Sequence, residues 1–145
     1  MKQLALVLLC IPALALADEA RNDTKNDTRK LMSYDSACTV TVPAAWKPDS
    51  SSSVAPDKKL SATVSHPKAM DKFDDVKTAG KSLYKGKVTK ESATELEIEG
   101  PSAINEKPSV YRAIASGKTF CLVEVDYESG TVDDARKIAH TLTGK

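Results

Sequence analysis

Residue types that often carry chemistry or bind nucleic acid are scarce in this sequence. Phe, Trp and Tyr together make up 5% of the 145 residues, and there are only two histidines. No charge of one sign dominates, because 21 basic residues face 20 acidic ones for a net charge of +1. A nucleic-acid-binding surface needs a basic field and stacking aromatic side chains. The composition therefore argues against nucleic acid as a partner.

The motifs of common enzyme and cofactor sites are also missing. The six glycines form no phosphate-binding loop, no serine stands in a nucleophile elbow, and no C-x-x-C or H-x-x-x-H pair occurs. Such spacings are what bring nucleophiles, phosphate groups or metal ligands together. We therefore predict no catalytic residue, no metal site and no cofactor.

The longest apolar run lies at the N-terminus. "LALVLLCIPALALA" follows Lys2 and ends in Ala-Leu-Ala at residues 15–17, the small-x-small pattern of a signal-peptidase site. The run is shorter than the ~20 residues that a membrane-spanning helix needs. We predict a signal peptide over residues 1–17 and a secreted or periplasmic protein with no membrane span after processing. A retained N-terminal anchor is the alternative.

A polar segment follows the predicted signal. Residues 18–30, "DEARNDTKNDTRK", contain no apolar side chain larger than alanine. Such a segment buries too little surface to offset its ordering entropy, which predicts a disordered leader. Asn22 and Asn26 each stand in an N-x-Thr triplet, which is a glycosylation site in a eukaryotic secretory pathway and has no such meaning in a bacterium.

Two cysteines remain after removal of the signal. Cys38 and Cys121 form an even pair in an oxidising compartment, where a disulfide is expected, and two buried free thiols are the alternative. Both lie in alternating stretches, "CTVTV" and "CLVEV", on the same face as neighbouring valines. Their sulfur atoms therefore point to one interior if both strands belong to one sheet.

The rest of the chain, residues 31–145, reads as a single α+β domain. Alternating stretches predict an antiparallel sheet of about five to six strands, including a hairpin within residues 109–127 and "TELEIE", whose glutamates we expect to face solvent. Apolar spacing predicts two main helices, one over residues 68–84 and one near the C-terminus. Residues 47–59, "KPDSSSSVAPDKK", have the composition of a loop.

Several of these details together resemble one family. "VTVPAAW", "LEIEGPSA", "VYRAIASGKTFCLVEVDY" and the final helix are similar to the pattern of PsbP-like proteins, a fold shared by photosystem II PsbP, exported bacterial relatives and a yeast Ran-binding protein. The resemblance covers about residues 34–142. It implies an antiparallel sheet with helices packed over it, and a binding or assembly role without a common enzymatic activity.

Three functions fit these observations. The first is a small secreted or periplasmic binding or accessory protein with one disulfide, acting on an unknown protein or small ligand. The second is a minor hydrolase or metal-dependent enzyme that uses His66 or His140 with nearby acids. The third is a secreted inhibitor or effector that presents the 47–59 loop.

Overall fold

The structure is a computed structural model that describes residues 27–145. The predicted signal peptide and the two N-x-Thr asparagines, Asn22 and Asn26, lie outside these residues. The elements in chain order are β1 (Thr28–Met32), β2 (Cys38–Pro43), β3 (Lys47–Asp49), β4 (Ser52–Val54), β5 (Leu60–Ser65), α1 (Phe73–Leu83), β6 (Lys87–Glu91), β7 (Glu95–Pro101), β8 (Pro108–Ser116), β9 (Thr119–Tyr127), α2 (Val132–Ala139) and β10 (Thr143–Gly144).

The strands form two separate sheets, and every strand pairing in the described part of the chain is antiparallel. The large sheet has the order β3-β4-β5-β9-β8-β7-β6, and the small sheet has the order β1-β2-β10. β8 and β9 form the predicted hairpin, with Ser116 opposite Thr119. The α+β class is confirmed, with seven strands in the main sheet where about five to six were expected.

The start of the folded domain lies earlier than the composition indicates. β1 begins at Thr28, so residues 28–30 of the predicted polar leader belong to a strand, and the expected domain start at residue 31 needs correction. Of the five β1 residues only Leu31 is fully buried. A strand that is held through backbone bonds and one apolar side chain gives no strong alternating signal, which is why its first residues resemble a leader.

The large sheet carries a different layer on each face. One face presents Cys121, Val123 and Val125 of β9 to a core that also contains the small sheet and α2. The other face packs Leu96 and Ile98 of β7 against α1. Neither helix is long and apolar enough to cross a membrane, and the described residues contain no other helix that is.

A disulfide joins the two sheets. Cys38 on β2 is bonded to Cys121 on β9, the Cα atoms are 5.4 Å apart, and both residues are fully buried. The predicted disulfide is therefore confirmed, and both sulfur atoms do point into one interior. The two strands do not belong to one sheet, because β2 lies in the small sheet that packs on the large one, so the two sulfur atoms meet between the sheets.

The segment predicted as a loop is mostly a hairpin. β3 and β4 pair between residues 47 and 54 and extend the large sheet at its edge beside β5. Ser53 is completely buried, where its hydroxyl lies 2.6 Å from an Arg29 nitrogen and donates to the Lys47 carbonyl. Ser52 and Ser53 are thus strand residues whose hydroxyls have partners, while Ser50 and Ser51 form the turn of the hairpin, so the 47–59 loop prediction is wrong over its first half.

The first helix is shorter than predicted. It begins at Phe73 instead of residue 68, and turns occupy the intervening stretch. His66 and Lys68 both contact the Asp35 carboxylate, which ties this connection to the β1–β2 turn. These tertiary contacts outweigh the apolar periodicity that continues across residues 68–72.

The disulfide closes a long loop, and its loss should lower the free energy of unfolding. The two cysteines are 83 residues apart, for which the chain-entropy relation gives about 4 kcal/mol. We expect the double substitution Cys38→Ala/Cys121→Ala to lose that amount, within about 2–5 kcal/mol, in urea unfolding followed by circular dichroism. Reduced wild-type protein keeps both sulfur atoms in the core and should lose nearly as much. A loss under about 1 kcal/mol in both samples would contradict the chain-entropy account.

Candidate functional site

The two histidines lie at separate positions, and each is bonded to one carboxylate. His66 directly follows β5, and its Nδ1 is 2.6 Å from Asp35 Oδ2. His140 directly follows α2, and its Nε2 is 2.7 Å from Glu97 Oε2. No side chain in residues 27–145 bonds to both histidines. The structure therefore does not combine them in one site, and each has to be considered alone.

The His66–Asp35 pair is fixed and partly open to solvent. Hydrogen bonds from His66 and from the Ser33 hydroxyl, at 2.8 Å, hold the pKa of Asp35 well below its usual range. Because the ionised carboxylate only accepts, Nδ1 of His66 carries the proton of this bond. Hollows of about 480 Å³ and 290 Å³ lie beside the imidazole. Nε2 has no hydrogen-bond partner among the described residues.

A proton acceptor alone does not make a hydrolase. A nucleophile has to lie within hydrogen-bond reach of the base, at about 2.6–3.2 Å. The Ser33 hydroxyl donates to Asp35 and accepts from the Cys38 amide, so it is already engaged. Within residues 27–145 no hydroxyl or thiol bonds to His66 Nε2. Asp35 therefore orients the His66 imidazole, but no nucleophile that the imidazole could activate lies within hydrogen-bond reach.

The glutamates of β7 do not face solvent as predicted. Each lies on the α2 side of the sheet and pairs with a basic group: Glu95 with Arg112 at 2.7 Å, Glu97 with His140 at 2.7 Å, and Glu99 with Arg136. Glu97 is 5% exposed and also accepts from Thr89. The side chains form a row of hydrogen-bonded acid–base pairs between β7, β8 and the α2 end of the chain.

Three aspartates in the first turns of α1 and α2 also have basic partners. In α1 Asp74 pairs with Lys77, and in α2 Asp133 pairs with Arg136 and Asp134 with Lys137. In each pair the basic residue lies three positions after the aspartate in the same helix. Across residues 27–145 no group of three or more His, Cys, Asp or Glu side chains is arranged to hold a metal ion. The carboxylates of these pairs already have cationic partners from the chain itself.

A pocket between α1 and the large sheet is the site with the character of a ligand cavity. It has a volume of about 210 Å³, and we call it the α1 pocket. Its walls are mainly apolar, with Thr63 and Ser65 of β5 and Glu124 of β9 as polar members. Two large apolar side chains at its border are exposed to solvent, Leu83 at 40% and Ile104 at 73%. Apolar walls with a few convergent polar groups are typical of small-molecule sites.

The geometry of α1 depends on a glycine that faces two tyrosines. A Cβ atom on Gly80 would lie 2.7 Å from the Tyr111 ring, closer than side-chain contacts allow, so the glycine lets the helix approach the sheet. The Tyr111 ring stacks on the Tyr84 ring, with centroids 4.4 Å apart. Burial is the main cause that raises the pKa of both phenols, which stay neutral donors.

Glu124 is the carboxylate of the α1 pocket. It is half-buried, and the Tyr84 hydroxyl donates to its Oε2. Burial and the nearby Asp126 carboxyl raise the pKa of Glu124, against the effect of the Tyr84 bond. In the described part of the chain no basic nitrogen lies within 4.0 Å of this carboxylate. Its environment thus differs from that of the β7 glutamates, each of which has a basic partner.

Sequence reasoning missed the α1 pocket, although one signal was present. Phe120 and Leu122 indicate that the second face of β9 is covered, and Glu124 is the next residue on that face. A glutamate on a covered face has to be paired or functional. Tyr84 gave no such signal, because its approach to Glu124 depends on where α1 ends.

No protein-family model matches this sequence, and no curated protein resembles it at a significant level. The candidate site therefore has to be judged on its geometry and chemistry alone.

Replacing Glu124 with glutamine should not destabilise the protein at neutral pH. Because the pKa of Glu124 is raised in the folded state, its contribution to stability is complete below the unfolded pKa of about 4.3 and is lost as the pH rises through the folded pKa. We expect Glu124→Gln to match wild type near pH 4 and to exceed it by up to about 1 kcal/mol at pH 7, measured by urea unfolding at both pH values. A variant that loses stability specifically at pH 7 would show that the ionised carboxylate is favourable where it lies.

Proposed function

We propose that this protein is a small, exported, non-catalytic binding protein and that its ligand site is the α1 pocket. The observation that carries the proposal is the combination of apolar walls, exposed apolar side chains at the border and one carboxylate without a cationic partner. Binding a ligand would cover Leu83 and Ile104. A hydrolase would need a nucleophile next to His66, which the described residues do not supply.

Two features support export. The cross-sheet disulfide is of the kind that persists in oxidising compartments, and residues 1–17 have the composition of a cleaved signal. We place the protein outside the cytosol, in the periplasm or the extracellular space.

The PsbP-like resemblance is retained as a proposal. The order of elements supports it, since a helix follows the β5 strand, a long hairpin follows β7 and a helix follows the hairpin. On this proposal the protein belongs with binding or assembly factors, in agreement with a site that has a pocket and no catalytic set.

The inhibitor alternative has less support. It depends on a freely presented segment at residues 47–59, and the β3–β4 hairpin instead forms part of the large sheet with Ser53 buried. The enzyme alternative retains the His66–Asp35 pair, which orients an imidazole but activates no group within reach. We therefore propose neither as the function.

If the protein is exported, the mature product should have a defined N-terminus and one intact disulfide. In a host that secretes it, the mature protein should begin at Asp18, and its intact mass should rise by about 2 Da on reduction of the one disulfide. Mass spectrometry of the culture medium or periplasmic fraction measures both. A full-length product that starts at Met1 and carries two free thiols in the cytosol would contradict the proposal of export.

Filling the α1 pocket should abolish binding without unfolding the protein. Ala79 lines the pocket from α1, so Ala79→Phe would place a ring inside it. Thr78→Phe adds the same ring at an exposed position of the same helix and is the matched control. Titration with 2-phenylethanol, followed by ¹H–¹⁵N NMR, should shift amide signals around Leu83 and Leu122 in wild type and in Thr78→Phe. Equal shifts in Ala79→Phe would show that the probe binds elsewhere.

A further inference from the structure

We infer that the α1 pocket selects a small primary amine with an aromatic or branched apolar body, whose ammonium group pairs with Glu124. The inference rests on the proposed function and adds the chemical class of the ligand. It follows from three features of the pocket: its charge, its donors and its size.

The charge of the pocket is unbalanced. Among the described residues, Glu124 is the only lining residue with a carboxyl group, no lysine, arginine or histidine lines the pocket, and the Tyr84 hydroxyl donates to Glu124 in place of a cation. Asp126, two residues along the same face of β9, bonds to Asn105 and Ser109, which are neutral donors as well. A half-buried carboxylate with a second one beside it is complementary to a positive charge.

Most other partly buried carboxylates in residues 27–145 have a basic partner, and Asp126, beside Glu124, is the other exception. Glu95, Glu97 and Glu99 on the opposite face each have an arginine or histidine partner, and Asp35 has His66 and Lys68. Glu124 has no basic partner within this range and lines the apolar α1 pocket. The cation that it lacks is therefore expected from the ligand.

The rest of the pocket fits the apolar body of such a ligand. The stacked rings of Tyr84 and Tyr111 form one wall, and Leu83 and Ile104 stand at the border where they would cover a bound group. Aromatic rings next to a carboxylate also favour an ammonium group through their negative faces. The volume of about 210 Å³ suits a body of one ring with a short chain, and is smaller than the common range of about 300–1,000 Å³ for larger ligands.

The test compares three probes of one shape and different charge. These are 2-phenylethylamine, 2-phenylethanol and 3-phenylpropanoate, titrated into the oxidised protein at pH 7 with ¹H–¹⁵N NMR as the readout. For ligands of this size we expect an amine dissociation constant on the order of 1 mM. The amine should bind about tenfold more tightly than the alcohol, which is the typical effect of one charge-assisted bond, and the carboxylate should bind most weakly.

Three variants connect the preference to Glu124. Glu124→Gln should reduce amine affinity about tenfold and change alcohol affinity much less, and its ¹H–¹⁵N spectrum without ligand reports that the variant is folded. Glu124→Asp keeps the charge and should retain part of the preference. Glu128→Gln removes an exposed carboxylate at the end of the same strand, outside the pocket, and should behave as wild type.

The outcomes separate the two proposals. Equal binding of the three probes in the pocket, or an amine preference that survives Glu124→Gln, would overturn the amine inference and leave the pocket as a ligand site. If no probe shifts signals around the pocket, the proposed function itself fails.

Discussion

The covalent bond between β2 and β9 is the constraint on which the rest of the arrangement depends. The small sheet has only three strands, and β10 has two residues, so it would be marginal as an independent unit. Cys38–Cys121 ties it to the central strand of the large sheet, and Leu31, Val40 and Val42 then pack between the sheets with α2. One face of the large sheet is thereby filled. The other face is left to a single helix.

That single helix is too short to cover its face, which explains why a pocket forms there. α1 has 11 residues and is about 16 Å long at 1.5 Å per residue. Seven strands at about 4.8 Å spacing span roughly 29 Å. α1 packs over β7 and β8, so on the same face of β5 Thr63 and Ser65 are exposed and Ser61 is partly exposed. The α1 pocket lies at this boundary, where the apolar underside of the helix meets the polar open part of the sheet.

The sequence predicted those features that depend on alternation and compartment. Cys38 and Cys121 each share a face with valines, which was enough to predict the disulfide, and the β8–β9 hairpin follows from two alternating stretches around Ser116-Gly117. The sequence could not predict side-chain contacts between elements that are far apart along the chain. Glu97 looks solvent-facing in "TELEIE" because alternation does not reveal that α2 brings His140 to it. Ser53 looks like a loop residue because only Arg29 and the sheet edge give its hydroxyl partners. The Tyr84–Glu124 contact likewise needs the position of α1.

The two faces show different solutions to the same problem of partly burying a carboxylate. On the α2 face the chain supplies basic partners, arginines for Glu95 and Glu99 and the His140 imidazole for Glu97, and the row joins helix to sheet. On the α1 face Glu124 has neutral donors and an acidic neighbour, an arrangement that favours the protonated form and therefore opposes stability at neutral pH. A glutamine of the same shape would avoid that penalty. Since arginine, histidine and lysine partners are used elsewhere in this small domain, the absence of a basic partner within residues 27–145 at Glu124 and at its neighbour Asp126 agrees with a cationic group that enters the pocket.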